Sequence, residues 1–210
     1  MLLHWNGTAW VPRVGRIPGV IRSVWGTARD DVWAIGDHGV LLHFDGRVWA
    51  TLDTVPLFNH SGVDLTSVSG ASKDVWFLEG AGVVHFDGAQ WTFHRRPESL
   101  DHNSFTAMWV AGPHDVWLSN PWSEEIVRFD GINWTIVKKL NHQANAICGS
   151  GPDDVWVVGS GDSGNVDHFD GRGWVTFSAN GAYLFGCSAS RNDFWAAGNS
   201  PQILFRASGL

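Results

Sequence analysis

The sequence is short of charge, of cysteine and of tyrosine, and it lacks any long apolar run. Asp, Glu, Lys and Arg make up 17% of its 210 residues. Hydrophobic residues nevertheless reach 44%, which excludes a chain left disordered for want of a core. Fourteen Lys and Arg stand against 21 Asp and Glu, a formal net charge of −7. That sign argues against nucleic acid as a partner, because a phosphate backbone is held by basic surface. Two cysteines exclude a disulfide-built scaffold and any four-cysteine zinc site. No stretch approaches the ~18–20 apolar residues of a membrane span, so none is expected. The opening Met1-Leu2-Leu3-His4-Trp5 has no basic start, apolar stretch or small-residue cleavage site, so no signal peptide is visible.

What the chain has in excess is tryptophan, 14 residues, with 25 glycines. Most of the tryptophans mark a repeat. Asp-Val-Trp occurs at Asp31 to Trp33, Asp74 to Trp76, Asp115 to Trp117 and Asp154 to Trp156, with Asp193-Phe194-Trp195 as a fifth copy. A second motif, Phe-Asp-Gly-x-x-Trp, runs Phe44 to Trp49, Phe86 to Trp91, Phe129 to Trp134 and Phe169 to Trp174. Trp5-Asn6-Gly7-Thr8-Ala9-Trp10 is its N-terminal variant. Ten tryptophans therefore fall in two registers, and five periods of about 42 residues fill the chain. One domain over residues 1–210 is expected.

Each period reads as strands. Val20 to Trp25 is short and rich in β-branched and aromatic residues, and it ends at Gly26. Asp31 to Gly36 and Val40 to Phe44 follow, separated by small turns. Asp45-Gly46 then marks a hairpin, since glycine adopts positive φ without strain. Apolar spacing nowhere favours 3.6 over 2. Four short strands per unit predict an all-β, five-bladed propeller of four-stranded antiparallel blades. The last repeat supplies three strands, and the N-terminus reads as a third and fourth strand. The ring is therefore expected to close by pairing the two termini. The third strand is then duplicated, as Leu2 to Trp5 and Ile203 to Arg206, which leaves oligomer formation through the spare copy open.

The unit Ser23 to Trp49 resembles the Trp-rich tandem repeats of bacterial propellers, and its hairpins resemble those of Asp-box propellers, although most copies lack the Ser and Thr of a full Asp-box. Size and repeat number are similar to those of tachylectin-type five-bladed lectins. The resemblance implies a propeller, an exported or cell-surface setting and a carbohydrate ligand. It does not fix the compartment, and propellers also serve as enzymes and scaffolds.

The repeated tryptophans read as packing, as do Trp25 and Trp109 in the first strands. The histidines ahead of the hairpin motif (His4, His43, His85, His168), replaced by Arg128 in one copy, read as hydrogen bonds between blades. Cys148 and Cys187 lie one repeat apart; a free thiol pair is expected, with a disulfide as the alternative. Function is expected on the face formed by second-to-third-strand turns and fourth-to-first-strand loops, because these vary between copies. There Trp122 belongs to neither register and sits beside Asn120 and Glu124. An indole next to acids and amides suits a sugar ring, whose CH groups stack while its hydroxyls are bound. Asp37, His38 and Asn199 occupy equivalent turns.

No catalytic set is visible. The first strands offer Arg22, Asp64, Thr106, Asn145 and Tyr183, one acid where glycosidase chemistry needs two. Neither a nucleophile elbow nor a phosphate loop is present. No cofactor and no metal are expected. His38, His60, His94, His102 and His142 fall in the presumed face loops without ligand spacing. Asp162 to Asp167 has oxygen ligands at alternate positions but not the length of a calcium loop. The reading is a non-catalytic lectin-like propeller that binds a glycan. The alternative is a protein-interaction or scaffold propeller, with a place as a module of a larger exported protein left open, and a loop- or metal-based enzyme comes third.

Overall fold

A computed structural model describes residues 2–14, 17, 19–53, 63–71, 73–97, 100, 105–120, 122, 124–161, 165–179, 183–191, 193–199 and 205–208. The N-terminus forms a two-stranded ribbon, β1 (Leu2–Trp5) and β2 (Trp10–Val14). Four complete antiparallel sheets follow. The first contains β3 (Ile21–Ala28), β4 (Asp31–Gly36), β5 (Leu41–Phe44) and β6 (Trp49–Thr51). The second contains β7 (Ser67–Ala71), β8 (Asp74–Glu79), β9 (Gly82–Phe86) and β10 (Trp91–Arg95). The third has β11 (Ala107–Gly112), β12 (Asp115–Asn120), β13 (Glu125–Phe129) and β14 (Trp134–Lys139). The fourth has β15 (Gln143–Gly151), β16 (Asp154–Ser160), β17 (Asn165–Phe169) and β18 (Trp174–Ser178). A three-stranded sheet ends the chain, with β19 (Leu184–Ala189), β20 (Asp193–Gly198) and β21 (Phe205–Ser208).

The molecule is thus a propeller of four-stranded antiparallel blades, and complete blades number four, not five. The expected terminal closure is also corrected. β1 pairs with β2, and β20 takes β21, not β1, as its second neighbour. First strands pack in succession, β3 on β7, β7 on β11, β11 on β15 and β15 on β19. No comparable packing joins β19 back to β3 among the described residues.

Each junction is built from one face of a blade meeting the opposite face of the next. Strand alternation sends Trp33 and Ile35 of β4 towards the second blade and Val75 and Phe77 of β8 back towards the first. Trp33 meets Phe77, Phe86 and Trp91 at centroid distances of 5.3, 5.7 and 6.0 Å. The same plan buries Trp33, Trp76, Trp117 and Trp156 to 2%, 0%, 1% and 5% exposure, so these tryptophans do pack. Trp25 and Trp109 lie against the next blade at Gly70 and Gly149, where any Cβ would strike the indole.

Hydrogen bonds inside each blade fix the tryptophan. Asp31 accepts from Trp33 Nε1–H and from the Thr27 hydroxyl, and pairs with His43 Nε2 at 2.7 Å. The Asp154 carboxylate is engaged in the same way by Trp156, Ser150 and His168. Burial opposes ionisation of Asp31, but the Thr27, His43 and Trp33 bonds outweigh it and hold its pKa below the ordinary value. The histidines were expected to bond between blades. They instead bond within one, because antiparallel register sets His43 opposite Trp33, His85 opposite Trp76 and His168 opposite Trp156. They stack on those indoles at 4.1, 4.1 and 3.8 Å. In the third blade Arg128 forks onto Asp115 at 2.6 and 2.9 Å and lies over Trp117.

The cysteine pair departs from the expected free thiols. Cys148 of β15 and Cys187 of β19 form a disulfide with a Cα separation of 5.9 Å. It ties the fourth blade to the C-terminal sheet, within a cluster that holds Trp156, Leu184 and Phe194.

Candidate functional site

The antiparallel order places the second-to-third-strand turns and the fourth-to-first-strand loops on one edge of the blades. The opposite edge carries the remaining turns and is built almost identically in each copy. There one Oδ1 accepts two backbone N–H groups: Asp45 from Arg47 and Val48, Asp87 from Ala89 and Gln90, Asp130 from Ile132 and Asn133, and Asp170 from Arg172 and Gly173. Asn6 does the same in the ribbon. Glycines 7, 46, 88, 131 and 171 follow at φ between 83° and 101°, a region that costs L-residues strain.

The variable edge has a different geometry. Trp122 is 76% exposed, and its N–H donates to Asn120 Oδ1 at 2.8 Å. Asn120, at the end of β12, is itself buried. Glu124 turns the chain with φ 55°, and its carbonyl accepts from Leu140 N–H at 2.7 Å. The tip is therefore held from beneath while the indole and the exposed Glu124 side chain face solvent. Beside it, Lys139 Nζ lies 3.4 Å from Glu125 Oε1.

Asp37 and His38 form a short 3-10 turn in the first blade. Arg22 grips the Asp37 carboxylate through Nε and Nη2 at 2.6 and 2.9 Å. That hydrogen bond lowers the Asp37 pKa against a smaller opposing effect of burial. His38 has φ 58° and donates its backbone N–H to Asp64 at 2.9 Å. Asn199 pairs with Tyr183 by two bonds, N–H to carbonyl at 3.0 Å and Oδ1 from Tyr183 N–H at 3.2 Å. The six residues singled out in sequence thus lie on one edge, with Asn120, Trp122 and Glu124 together in the third blade. Asp37 with His38, and Asn199, belong to the first blade and the C-terminal sheet. The amide oxygens of Asn120 and Asn199 and the carboxylate of Asp37 serve to hold their turns.

Of the histidines expected in face loops, His38 and His142 lie in such connections, and His94 lies in a strand instead. His94 lies in β10, between Trp76 and Phe129 at centroid distances of 5.4 and 4.9 Å. Burial, then the charges of His85 and His114, lowers its pKa. His142 is 2% exposed, and its Nε2 lies 2.6 Å from Asp167 Oδ2. No group of three metal-ligating side chains occurs among the described residues. His60, His102 and the first part of the Asp162 to Asp167 segment lie outside the described residues. Tyr183 was named in sequence as an inner-strand residue, not as part of the face. It is 45% exposed next to Asn199, and being the only tyrosine of the chain was a signal that could have flagged it.

No family model matches the chain, and no curated protein matches its sequence. Solved structures do. The chain is similar to YCF48 bound to a D1 peptide, at 18% identity and a TM-score of 0.65 over 86% of this chain and 61% of that one. The likeness is to β-propellers. Virginiamycin B lyase from Staphylococcus aureus aligns at 12% identity and a TM-score of 0.74, over 92% of this chain and 68% of the lyase. The WD40 propeller domain of Doa1 aligns at 10% identity and 0.64, over 87% and 63%. The chain thus spans about three fifths to two thirds of the length of these propellers. At such identities the likeness concerns the fold alone.

Proposed function

We propose that this propeller is a protein-interaction module whose variable edge receives a polypeptide, with Trp122 as its anchor. The observation that carries this reading is a contrast in exposure. Trp122 is 76% exposed, whereas the second-strand tryptophans of the four blades are at most 5% exposed. An indole held out on a turn that is pinned from below meets a partner at low entropic cost, and interface hot spots favour tryptophan. Glu124 adds an acid beside it. YCF48, one of the similar propellers, is known in complex with a peptide, which supports a polypeptide ligand over a sugar.

The carbohydrate reading uses the same indole, so one experiment separates the two. A displayed peptide library and a glycan array are screened against the chain and against Trp122→Ala. Enriched peptides that lose about tenfold or more in affinity with Trp122→Ala, at roughly 1.4 kcal/mol per decade, are expected. Glycan binding that depends on Trp122, without peptide enrichment, would overturn the proposal in favour of a lectin.

A further inference from the structure

The chain pairs indoles with charge in its own interior, and that chemistry narrows the partner of the variable edge. In the third blade the Arg128 guanidinium lies 4.9 Å from the Trp117 ring centroid while it forks onto the Asp115 carboxylate. Across the next junction Lys138 Nζ stands 6.0 Å from the Trp174 centroid and 3.8 Å from Asp167 Oδ1. In both places one cation lies over an indole and beside a carboxylate. The two attractions act together, because the ring face and the acid both present negative charge to the cation.

Trp122 and Glu124 offer the same two groups with no cation between them. Asn120 and Glu125 pair across β12 and β13, so residues 121–124 form one turn. Trp122 and Glu124 lie two positions apart in it, the spacing of Asp115 and Trp117 in reverse order. Both side chains are exposed. Among the described residues the Trp122 ring meets no aromatic group or cation, and the Glu124 carboxylate has no hydrogen bond or ion pair. The lysines that end β14 are already engaged, Lys138 by Asp167 and Lys139 by Glu125. At longer range the chain's formal charge of −7 attracts positive partners.

We propose that the polypeptide received at this turn is a basic segment. One of its Lys or Arg side chains lies over the Trp122 indole, and the charged head pairs with Glu124. This rests on the interaction-module reading and adds the chemistry of the ligand. An acidic segment would set like charge against Glu124, and an apolar one would desolvate that carboxylate without return.

The test uses the full chain, a displayed library of random peptides and synthetic copies of the peptides that it yields. Peptides whose binding needs Trp122 should be enriched in Lys and Arg. Gln in place of the peptide's basic residue should weaken binding roughly 3- to 30-fold, the combined effect of an exposed cation–π contact and an exposed ion pair. Glu124→Gln should weaken it about two- to fivefold, and Glu124→Lys by more. In Glu124→Gln the change to the peptide should matter less than in the unaltered chain, the mark of a direct contact. Added salt should likewise weaken binding to the unaltered chain more than to Glu124→Gln. Trp122-dependent peptides without basic residues, or with affinities that Glu124→Gln and Glu124→Lys leave unchanged, would overturn this inference and leave the interaction reading standing. Absence of Trp122-dependent peptides would overturn both. The substitution in the peptide probes the same contact without altering the protein, so the test holds even if a Glu124 variant fails to fold.

Discussion

The two edges of the blades follow different rules. On one edge each aspartate of the hairpin motif accepts two backbone N–H groups ahead of a positive-φ glycine, and the solution hardly changes from copy to copy. On the other edge one turn holds Asp37 in an arginine fork, another lifts Trp122 into solvent, and a third clamps Asn199 to Tyr183. Uniformity marks the edge that solves a backbone problem common to every blade. Divergence marks the edge where single residues are set in single places, which is where recognition belongs.

That division predicts a graded set of responses. The largest belongs to the junctions: Trp76→Ala should cost about 3–5 kcal/mol, the usual range for a buried large aromatic, measured by urea unfolding. Reduction of Cys148–Cys187, or Cys187→Ser, should cost roughly 2–4 kcal/mol, since the bridge closes a 39-residue separation. Acid should act next and in two steps. The folded-state pKa of His94 lies below its ordinary value. The unfolded chain therefore binds that proton first, and stability falls as pH drops below about 6.5. His94→Gln should remove this first step. The carboxylates of Asp45, Asp87, Asp130 and Asp170 are lowered chiefly by the N–H groups of Val48, Gln90, Asn133 and Gly173. Their contribution is complete above the unfolded carboxylate range and is lost as pH falls below about 4. Melting curves between pH 3 and 8 would resolve both. The smallest effect on stability belongs to Trp122→Ala, within about 0.5 kcal/mol for an exposed side chain, despite a loss of ligand. If Trp122→Ala instead matched Trp76→Ala, the contrast between the edges would fail.

Much of the fold was legible because the repeat carries it. Asp-Val-Trp marked the second strand of each complete blade and Phe-Asp-Gly-x-x-Trp the hairpin between its third and fourth, and the turn chemistry of Asp45-Gly46 appears as expected. The number of blades was not legible, because landmarks count repeats and a blade needs four paired strands. The sheet that holds Asp193 to Trp195 has its landmark but only three strands among the described residues. The expected pairing of the termini is not seen among the described residues: of the two copies of the third strand, β21 takes the edge of β20, and β1 pairs with β2. The disulfide depended on which way two side chains point across a junction. Past a register shift at Gly149–Gly151, Cys148 falls opposite Trp156, whereas Cys187 falls opposite Ala196, and the spacing of 39 does not show that offset. The histidine role could have been read from antiparallel register alone, since His43 falls opposite Trp33. At the candidate site, Trp122 was recognisable because it breaks the repeat. The use of Asp37 and Asn199 as turn clamps was not, because their partners Arg22 and Tyr183 are 15 and 16 residues away.

The most direct measurement of the central claim is the affinity of peptides selected from a displayed library for the chain and for Trp122→Ala, with urea unfolding of both proteins alongside. A loss of binding of about tenfold or more with unfolding free energies that agree within about 0.5 kcal/mol is predicted. Unchanged peptide affinity in a folded Trp122→Ala variant, or Trp122-dependent binding confined to glycans, would contradict it.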